Sequence, residues 1–381
     1  MVHVRVAYVT TFCPHYRVRT YETLARHHDL TYYFFSGGEE WYWLDEHGVR
    51  DGQFRHKYLP GFNLGRTRVT PKLPQWLWEN DYDVYIKCIN GRFALPATYA
   101  VARIRRKPFI LWTGIWSRLR TPAQRFLFPL TRYIYRHADA IAVYGKHVKR
   151  YLISEGVPPE RIFVAQHAVD NELYGRTVTA GEVSALRRSL GIVPDRRVIL
   201  YLGRLVEEKG LPYLIQAFAS LQSDDTVLVM AGAGIEQESL QALAANLGLA
   251  DRVLFPGYIQ PEATVAFYRM AHVYVLPSVT TPYFREPWGL VVNEAFNQGT
   301  PVIATESVGA AAGGLVQDRV NGFVVEERNT PALAQALQTL LTDEALRHRM
   351  SQNALSTIAG WNNERMVKGF RDAIDYVAAA E

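Results

Sequence analysis

The chain is poor in cysteine. Its 381 residues include only two, Cys13 and Cys88, distant in sequence and in no Cys-x-x-Cys pair. This argues against a disulfide framework or a cysteine-built zinc site, and it fits a reducing compartment. Long hydrophobic runs are also missing. No apolar stretch approaches the ~18 residues of a spanning helix, and the longest, Phe109–Trp116, is broken by Thr113 and Gly114. Val4–Thr11 reads as a strand and not as the apolar core of a signal peptide. There is no Gly-x-x-x-x-Gly-Lys-Ser/Thr loop, no His-Glu-x-x-His pair among the eleven histidines and no Gly-x-Ser-x-Gly elbow. Walker-type phosphate binding, zincin chemistry and the α/β-hydrolase triad therefore have no support. The last absence is local: between Asp83 and Asp139 there is no Asp or Glu.

The length suits two domains of ordinary size. Apolar residues make up 48% and charged residues 21%, as in soluble globular proteins. Charge is unevenly spread. Residues 1–170 hold 25 Lys and Arg against 14 Asp and Glu, whereas the remainder holds 17 against 23. A basic half and an acidic half suggest two domains facing different partners.

Each half alternates short apolar runs with helical stretches. In the first, strands are expected at Val4–Thr11, Leu30–Ser36, Asp83–Ile89, Phe109–Trp112, Ala140–Tyr144 and Ile162–Ala165, with helices at Arg19–His27 and Pro122–His137. In the second, strands are expected at Val198–Leu202, Val227–Ala231, Val253–Phe255, Val273–Leu276, Val302–Thr305 and Phe323–Val325. Helices at Leu211–Leu221 and Glu236–Leu247 separate them, and three more follow at about 331–341, 343–356 and 363–379. This alternation predicts parallel, doubly wound sheets. The expected organisation is an N-terminal α/β domain over 1–170, a linker over 171–195, a second α/β domain over 196–360, and a final segment, 361–381, crossing back to the first domain. Ligands of such sheets bind outside the carboxyl ends of the strands.

Two motifs in the second half carry chemistry. Gly203-Arg204-Leu205-Val206-Glu207-Glu208-Lys209-Gly210 directly follows an expected strand. Its cations, Arg204 and Lys209, stand before a helix and suit a diphosphate, or they pair with Glu207 and Glu208. Arg285-Glu286-Pro287-Trp288-Gly289-Leu290-Val291-Val292-Asn293-Glu294-Ala295-Phe296 places one acid in a loop and a second, eight residues on, on the helix the loop feeds. Carboxylates there can accept from ligand hydroxyls while backbone N–H groups face a phosphate; the plainer reading is two acids favoured near a helix start. A sugar nucleotide needs acid, cation and N–H groups together.

Together the motifs resemble those of the retaining glycosyltransferases of family 4, which have the GT-B fold. The resemblance rests on Glu286, Pro287, Trp288, Gly289, Leu290, Glu294 and Ala295, and on Gly299-Thr300-Pro301-Val302-Ile303-Ala304. Gly232-Ala233-Gly234, Phe255-Pro256-Gly257, Leu276-Pro277-Ser278 and Asn321-Gly322-Phe323 extend it. It is close over about 196–362 and loose in the first half. It implies two Rossmann-like domains facing a cleft and sugar transfer from a nucleoside diphosphate sugar, with UDP favoured and GDP and ADP open. Arg204 and Lys209 would hold the diphosphate and, with Glu286, form the catalytic group. Glu286 would hold sugar hydroxyls and Glu294 the ribose hydroxyls. Backbone N–H groups near Trp288, Gly289 and Leu290 would face the sugar and phosphate, and the base would lie near Tyr258 and Ile259. The family works without an obvious protein nucleophile, so no general base is named; a glycosidase-type nucleophile at Glu286 is the rival mechanism. A sugar-nucleotide epimerase and a non-catalytic sugar-nucleotide scaffold are the alternative functions.

No cofactor or metal is expected. Asp81-Tyr82-Asp83 matches the Asp-x-Asp metal motif of another glycosyltransferase fold but reads as acids at a strand start. The acceptor side departs from the family. A Gly-Gly pair is replaced by Thr11-Phe12-Cys13-Pro14-His15-Tyr16-Arg17, and Thr113 stands where many members have a histidine. His15, Arg17 and Thr113 are the acceptor-side candidates. The acid-free stretch carries eleven cations interleaved with aromatics, among them Trp112, Trp116, Phe126, Phe128, Tyr133 and Tyr135. That pattern suits an anionic membrane surface. Taken with the family resemblance, it implies a lipid-linked or membrane acceptor, with the enzyme peripheral to the cytoplasmic face; the plainer reading is a solvated basic face that binds nothing. Nucleic acid is disfavoured, because no binding motif accompanies the charge.

Overall fold

Continuous apolar runs in both halves become strands buried on both faces, as parallel sheets require. The computed structural model describes residues 4–37, 52–65, 67–221 and 223–379. In chain order the first half contains β1 (Arg5–Thr10), α1 (Val18–Ala25), β2 (Asp29–Phe34), β3 (His56–Tyr58), β4 (Phe62–Leu64), β5 (Thr67–Val69), α2 (Lys72–Glu79) and β6 (Val84–Cys88). It continues with α3 (Ala94–Ile104), β7 (Phe109–Thr113), α4 (Pro122–His137), β8 (Ala140–Val143), α5 (Lys146–Ser154) and β9 (Ile162–Val164). Seven strands form one parallel sheet in the order β3-β2-β1-β6-β7-β8-β9, and β4 and β5 pair as a separate hairpin.

The second half opens with α6 (Asn171–Tyr174) and α7 (Ala180–Ser189), followed by β10 (Arg197–Leu202), α8 (Leu211–Ala219), β11 (Thr226–Ala231), α9 (Gln237–Asn246) and β12 (Val253–Gly257). Then come α10 (Pro261–Met270), β13 (Val273–Leu276), α11 (Val291–Asn297), β14 (Val302–Thr305), α12 (Gly309–Ala312) and β15 (Gly322–Val325). The helices α13 (Thr330–Thr342), α14 (Glu344–Ala359) and α15 (Asn363–Ala378) complete it. The second sheet is also parallel, in the order β12-β11-β10-β13-β14-β15.

The chain forms two compact units. One comprises the described residues up to Trp116, Pro122–His167 and the chain from Asn363 on; the other comprises Ser117–Thr121 and Ala168–Asn362. Residues 171–195 thus carry two helices and belong to the second unit: Gln298 donates to the Tyr174 carbonyl, and Tyr174 is buried. The last helix, α15, belongs to the first unit and packs on α1, β8 and β9. Its Gly369 permits the contact, because a Cβ there would meet the Val164 carbonyl oxygen at 2.4 Å.

Both cysteines are buried free thiols. No helix among the described residues is long and apolar enough to cross a membrane. The eleven cations of the acid-free stretch do not form one face. Lys87 is fully buried in β6, donating to the Cys88 carbonyl at 2.8 Å and the Asn90 carbonyl at 2.6 Å. Arg103 pairs with Asp139, Arg105 with Asp81 at 3.3 Å and Arg132 with Glu155 at 3.2 Å. Arg118 and Arg120 lie in the second unit. Acids on other elements therefore meet part of a charge excess that looks unbalanced in sequence.

Candidate functional site

The second sheet reverses its order between β10 and β13. From β10 the chain winds outward to β11 and β12, and from β13 to β14 and β15. Loops leaving the carboxyl ends of two such neighbours diverge and open a crevice. Here those loops carry Arg204 and Lys209 after β10, and Ser278 and Glu286 after β13. Gly210 brings them together. It is left-handed, with φ +63°, and a Cβ there would meet the Pro277 carbonyl oxygen at 2.2 Å. Beside it, the Val279 N–H donates to the Glu208 carbonyl at 2.9 Å.

Three of these side chains converge on one carboxylate, with Arg204 on the same loop. The ammonium of Lys209 forms an ion pair with Oε2 of Glu286, and Ser278 Oγ donates to the same oxygen at 3.2 Å. Arg204 Nη2 pairs with Glu208 Oε1 at 3.1 Å. Lys209 and Glu286 are buried, whereas Arg204 keeps 26% of its side chain exposed. Beneath them Tyr201 donates to the Arg204 carbonyl at 2.6 Å. Its hydroxyl is held far above the usual phenol range by burial and by the Glu286 charge, so it remains a donor. A lysine has three N–H donors and an arginine five. One on each is committed here to an acid, and the others can serve an anion.

Glu294 sits on α11 and is buried. Tyr268 Oη, from α10, donates to its Oε2 at 2.7 Å. Burial pushes the carboxyl up to about 7, while the Tyr268 and Tyr174 hydroxyls act in the opposite direction. Trp288 is a packing residue: its Nε1 donates to Asn293 Oδ1 at 2.8 Å and its ring stacks on Trp361 at 5.9 Å. The N–H groups of Gly289 and Leu290 meet no acceptor among the described residues. Tyr258 and Ile259 follow β12, two strands from β10 and so roughly 10 Å across the sheet. They share the edge with the ion-pair cluster without joining it.

In the first unit, Arg17 lies in the turn after β1 and is 2% exposed. Its Nη2 is 2.6 Å from His167 Nδ1, and its guanidinium lies 5.2 Å from the Trp112 ring centroid. His167 is held neutral, its pKa well below the usual histidine range because of burial and then the Arg17 charge. Thr113 ends β7, fully buried, with Oγ1 accepting from the Ile115 N–H at 3.1 Å. Successive residues of a strand face opposite ways, so Trp112 meets Arg17 and Thr113 does not. His15 packs edge-on against Tyr16, with ring centroids 5.3 Å apart. The Asp-x-Asp acids are engaged by arginine: Asp81 by Arg5 at 2.5 Å, and Asp83 Oδ2 by the Arg5 N–H at 2.8 Å.

Ser278, Tyr268, Trp112 and His167 are the site neighbours that sequence reasoning did not single out. Ser278 had a signal in Leu276-Pro277-Ser278 at a strand end. Tyr268 had none, since its contact with Glu294 spans 26 residues.

Two family models lie end to end on the chain. "Glycosyltransferase Family 4" matches residues 9–173, and "Glycosyl transferases group 1" matches residues 182–357. An uncharacterized glycosyltransferase of Methanocaldococcus jannaschii is 31% identical over 210 residues, 54% of this chain and 52% of that protein. A D-inositol 3-phosphate glycosyltransferase of Geodermatophilus obscurus is 34% identical over 259 residues, 64% of this chain and 53% of that protein. The chain spans about half the length of these curated relatives. Among solved structures, Anabaena HepE in complex with UDP matches with a TM-score of 0.78 at 21% identity, over 98% of this chain and 99% of that one. That likeness is one of fold.

Proposed function

Because the chain belongs to the family 4 glycosyltransferases and has the GT-B fold, we propose that it moves a hexosyl group from a UDP-sugar, with retention, to a lipid-linked or membrane-associated acceptor. The observation that carries this reading is the buried Lys209–Glu286 pair, with Ser278 and Arg204 beside it, at the switch point of the second sheet. Breaking the anomeric C–O bond leaves negative charge on the nucleoside diphosphate. Arg204 and Lys209 are fixed cations where that charge would develop, and preorganised charge of this kind is the largest catalytic lever. Glu286, anchored through Oε2, would orient the sugar hydroxyls, and Glu294 would accept from the ribose. Compensation by two side chains requires no metal or other cofactor. The choice of UDP is supported by HepE, which has been solved with UDP and with UDP-glucose.

A membrane acceptor, reached from the cytoplasmic face, is supported by α4. Phe126, Leu130 and Tyr133 lie at i, i+4 and i+7 on this helix and are 84%, 46% and 50% exposed. Arg125 and Arg136 are exposed alongside. An outward apolar stripe beside cations suits an anionic lipid interface. His15 and Arg17 remain the proposed acceptor-side residues, with Trp112 beside Arg17.

The test is UDP release from UDP-sugars with and without membrane lipid. A transferase releases UDP and labels the lipid only when both substrates are present. Interconversion of free UDP-sugars without lipid would make the protein an epimerase, and binding without turnover would make it a scaffold.

A further inference from the structure

A pocket of about 530 Å³ opens in the first unit, away from Arg17, Trp112 and Thr113. Its wall includes Arg103, Arg106, Lys107, Asp139, Arg161 and Tyr376. Pro108, Asp139 and Arg161 each immediately precede a strand, β7, β8 and β9 respectively. The pocket therefore lies at the amino ends of these strands. Arg17, Trp112 and Thr113 lie toward the carboxyl ends, roughly 15 Å away for strands of this length.

Four cations face one acid. Asp139 is already satisfied: it pairs with Arg103, and its Oδ2 accepts the Phe109 N–H at 2.7 Å. Arg106 and Arg161 have no ion-pair partner among the described residues. The cavity is several times the size of a phosphate group and within the ~300–1,000 Å³ range of small-molecule sites.

The backbone gives an independent sign. Helix α3 ends with the Arg106 N–H donating to the Arg103 carbonyl at 3.1 Å and the Lys107 N–H to the Ala102 carbonyl at 2.9 Å. In that termination the residue after the cap is left-handed and is usually glycine. Here it is Arg106, at φ +55°. An arginine in a conformation that costs it energy, at a position that lines a pocket, points to a use for the side chain.

We infer that this pocket binds a phosphate monoester or diphosphate group, carried by a soluble metabolite or by a lipid headgroup. The inference does not rest on the glycosyltransferase reading. Guanidinium groups can engage phosphate through two parallel N–H donors, and Tyr376 offers a ring edge or hydroxyl beside them.

Hydrogen-exchange mass spectrometry of the full chain tests it, with inorganic pyrophosphate and monomeric dihexanoyl phosphatidic acid as probes. The segments read are 102–109, 158–162 and 372–379. Protection by pyrophosphate assigns a soluble source, and protection by the short-chain lipid alone assigns a headgroup. The variant Arg106→Gly with Arg161→Gln should bind the effective probe at least tenfold more weakly. Arg106→Gly alone should keep or raise Tm, since glycine suits that backbone, so loss of binding is not loss of folding. Pyrophosphate held at Arg204 and Lys209 would protect other segments and is read separately. Protection by neither probe, or equal protection in the double variant, overturns the inference.

Discussion

Lys209 and Glu286, separated by 77 residues in the chain, form one buried ion pair at the point where the second sheet reverses direction. Removing one partner of a buried pair leaves an uncompensated charge, which costs about 3–5 kcal/mol. Lys209→Met should therefore destabilise the second unit by about 3 kcal/mol and lower kcat/KM for donor turnover by about 100-fold or more. Adding Glu286→Gln should restore much of the stability and none of the turnover. Urea denaturation and UDP-release kinetics on both variants check this. Additive stability losses would mean the two residues act independently.

If Glu294 takes the proposed ribose contact, donor binding should be pH-dependent. Its carboxyl titrates at about 7 when folded, against an ordinary 4.5, so the folded protein holds a proton that the unfolded chain has released between these values. Stability should fall as pH rises from about 4.5 to 7, by roughly 3 kcal/mol from this group. Ribose hydroxyls need the ionised carboxylate as acceptor, so UDP affinity should rise from pH 6 to 8 and binding should release a proton. Glu294→Gln should abolish that proton release, weaken UDP and raise Tm at pH 8. Calorimetry in buffers of different ionisation enthalpy measures the proton count; a count of zero in the wild type contradicts the account.

Tyr268 should act through Glu294 as a positioning residue. Its hydroxyl bond of 2.7 Å favours the carboxylate. Tyr268→Phe should move the midpoint of UDP affinity to higher pH while leaving affinity near pH 9 within a few-fold of wild type. An unshifted midpoint would assign the tyrosine a packing role only.

Gly210 and Gly248 are both left-handed, at φ +63° and +70°. A Cβ on Gly210 meets the Pro277 carbonyl, while one on Gly248 meets nothing within 4 Å. Gly248→Ala should cost about 1 kcal/mol from backbone conformation alone. Gly210→Ala should cost more than twice that and should also weaken UDP binding, because the loops after β10 and β13 must separate. Equal losses in the two variants would remove the close approach from the explanation.

For the proposed membrane contact, Phe126→Glu combined with Leu130→Glu should reduce cosedimentation with phosphatidylglycerol vesicles several-fold and leave UDP affinity unchanged. Unaltered cosedimentation would exclude α4 as the contact.

How much of this was legible in the residues differs by element. Apolar runs buried on both faces announce themselves, and β13 and β14 occupy the predicted Val273–Leu276 and Val302–Thr305. The helix expected at Pro122–His137 matches α4 residue for residue. The hairpin of β4 and β5 is missed because Phe62–Leu64 is exposed throughout and alternates into no core. Helix α10 is missed as well, and with it Tyr268. Arg204, Lys209 and Glu286 were legible from their places at strand ends, and Ser278 stood in the Leu276-Pro277-Ser278 motif, but its bond to Glu286 enters only through the fold. On the first unit the family resemblance pointed to Thr113, and strand alternation also turns its neighbour Trp112 toward Arg17. The acid-free stretch misleads for a related reason: Asp81, Asp139 and Glu155 reach its arginines from other elements.

Calorimetric titration of UDP, GDP, ADP and TDP into the wild type and into Arg204→Ala with Lys209→Ala tests the central claim most directly. The account predicts saturable one-to-one binding of UDP in preference to the other three, weakened at least tenfold by the double substitution. Wild-type protein that binds none of them, or UDP affinity unchanged when both cations are removed, would contradict it.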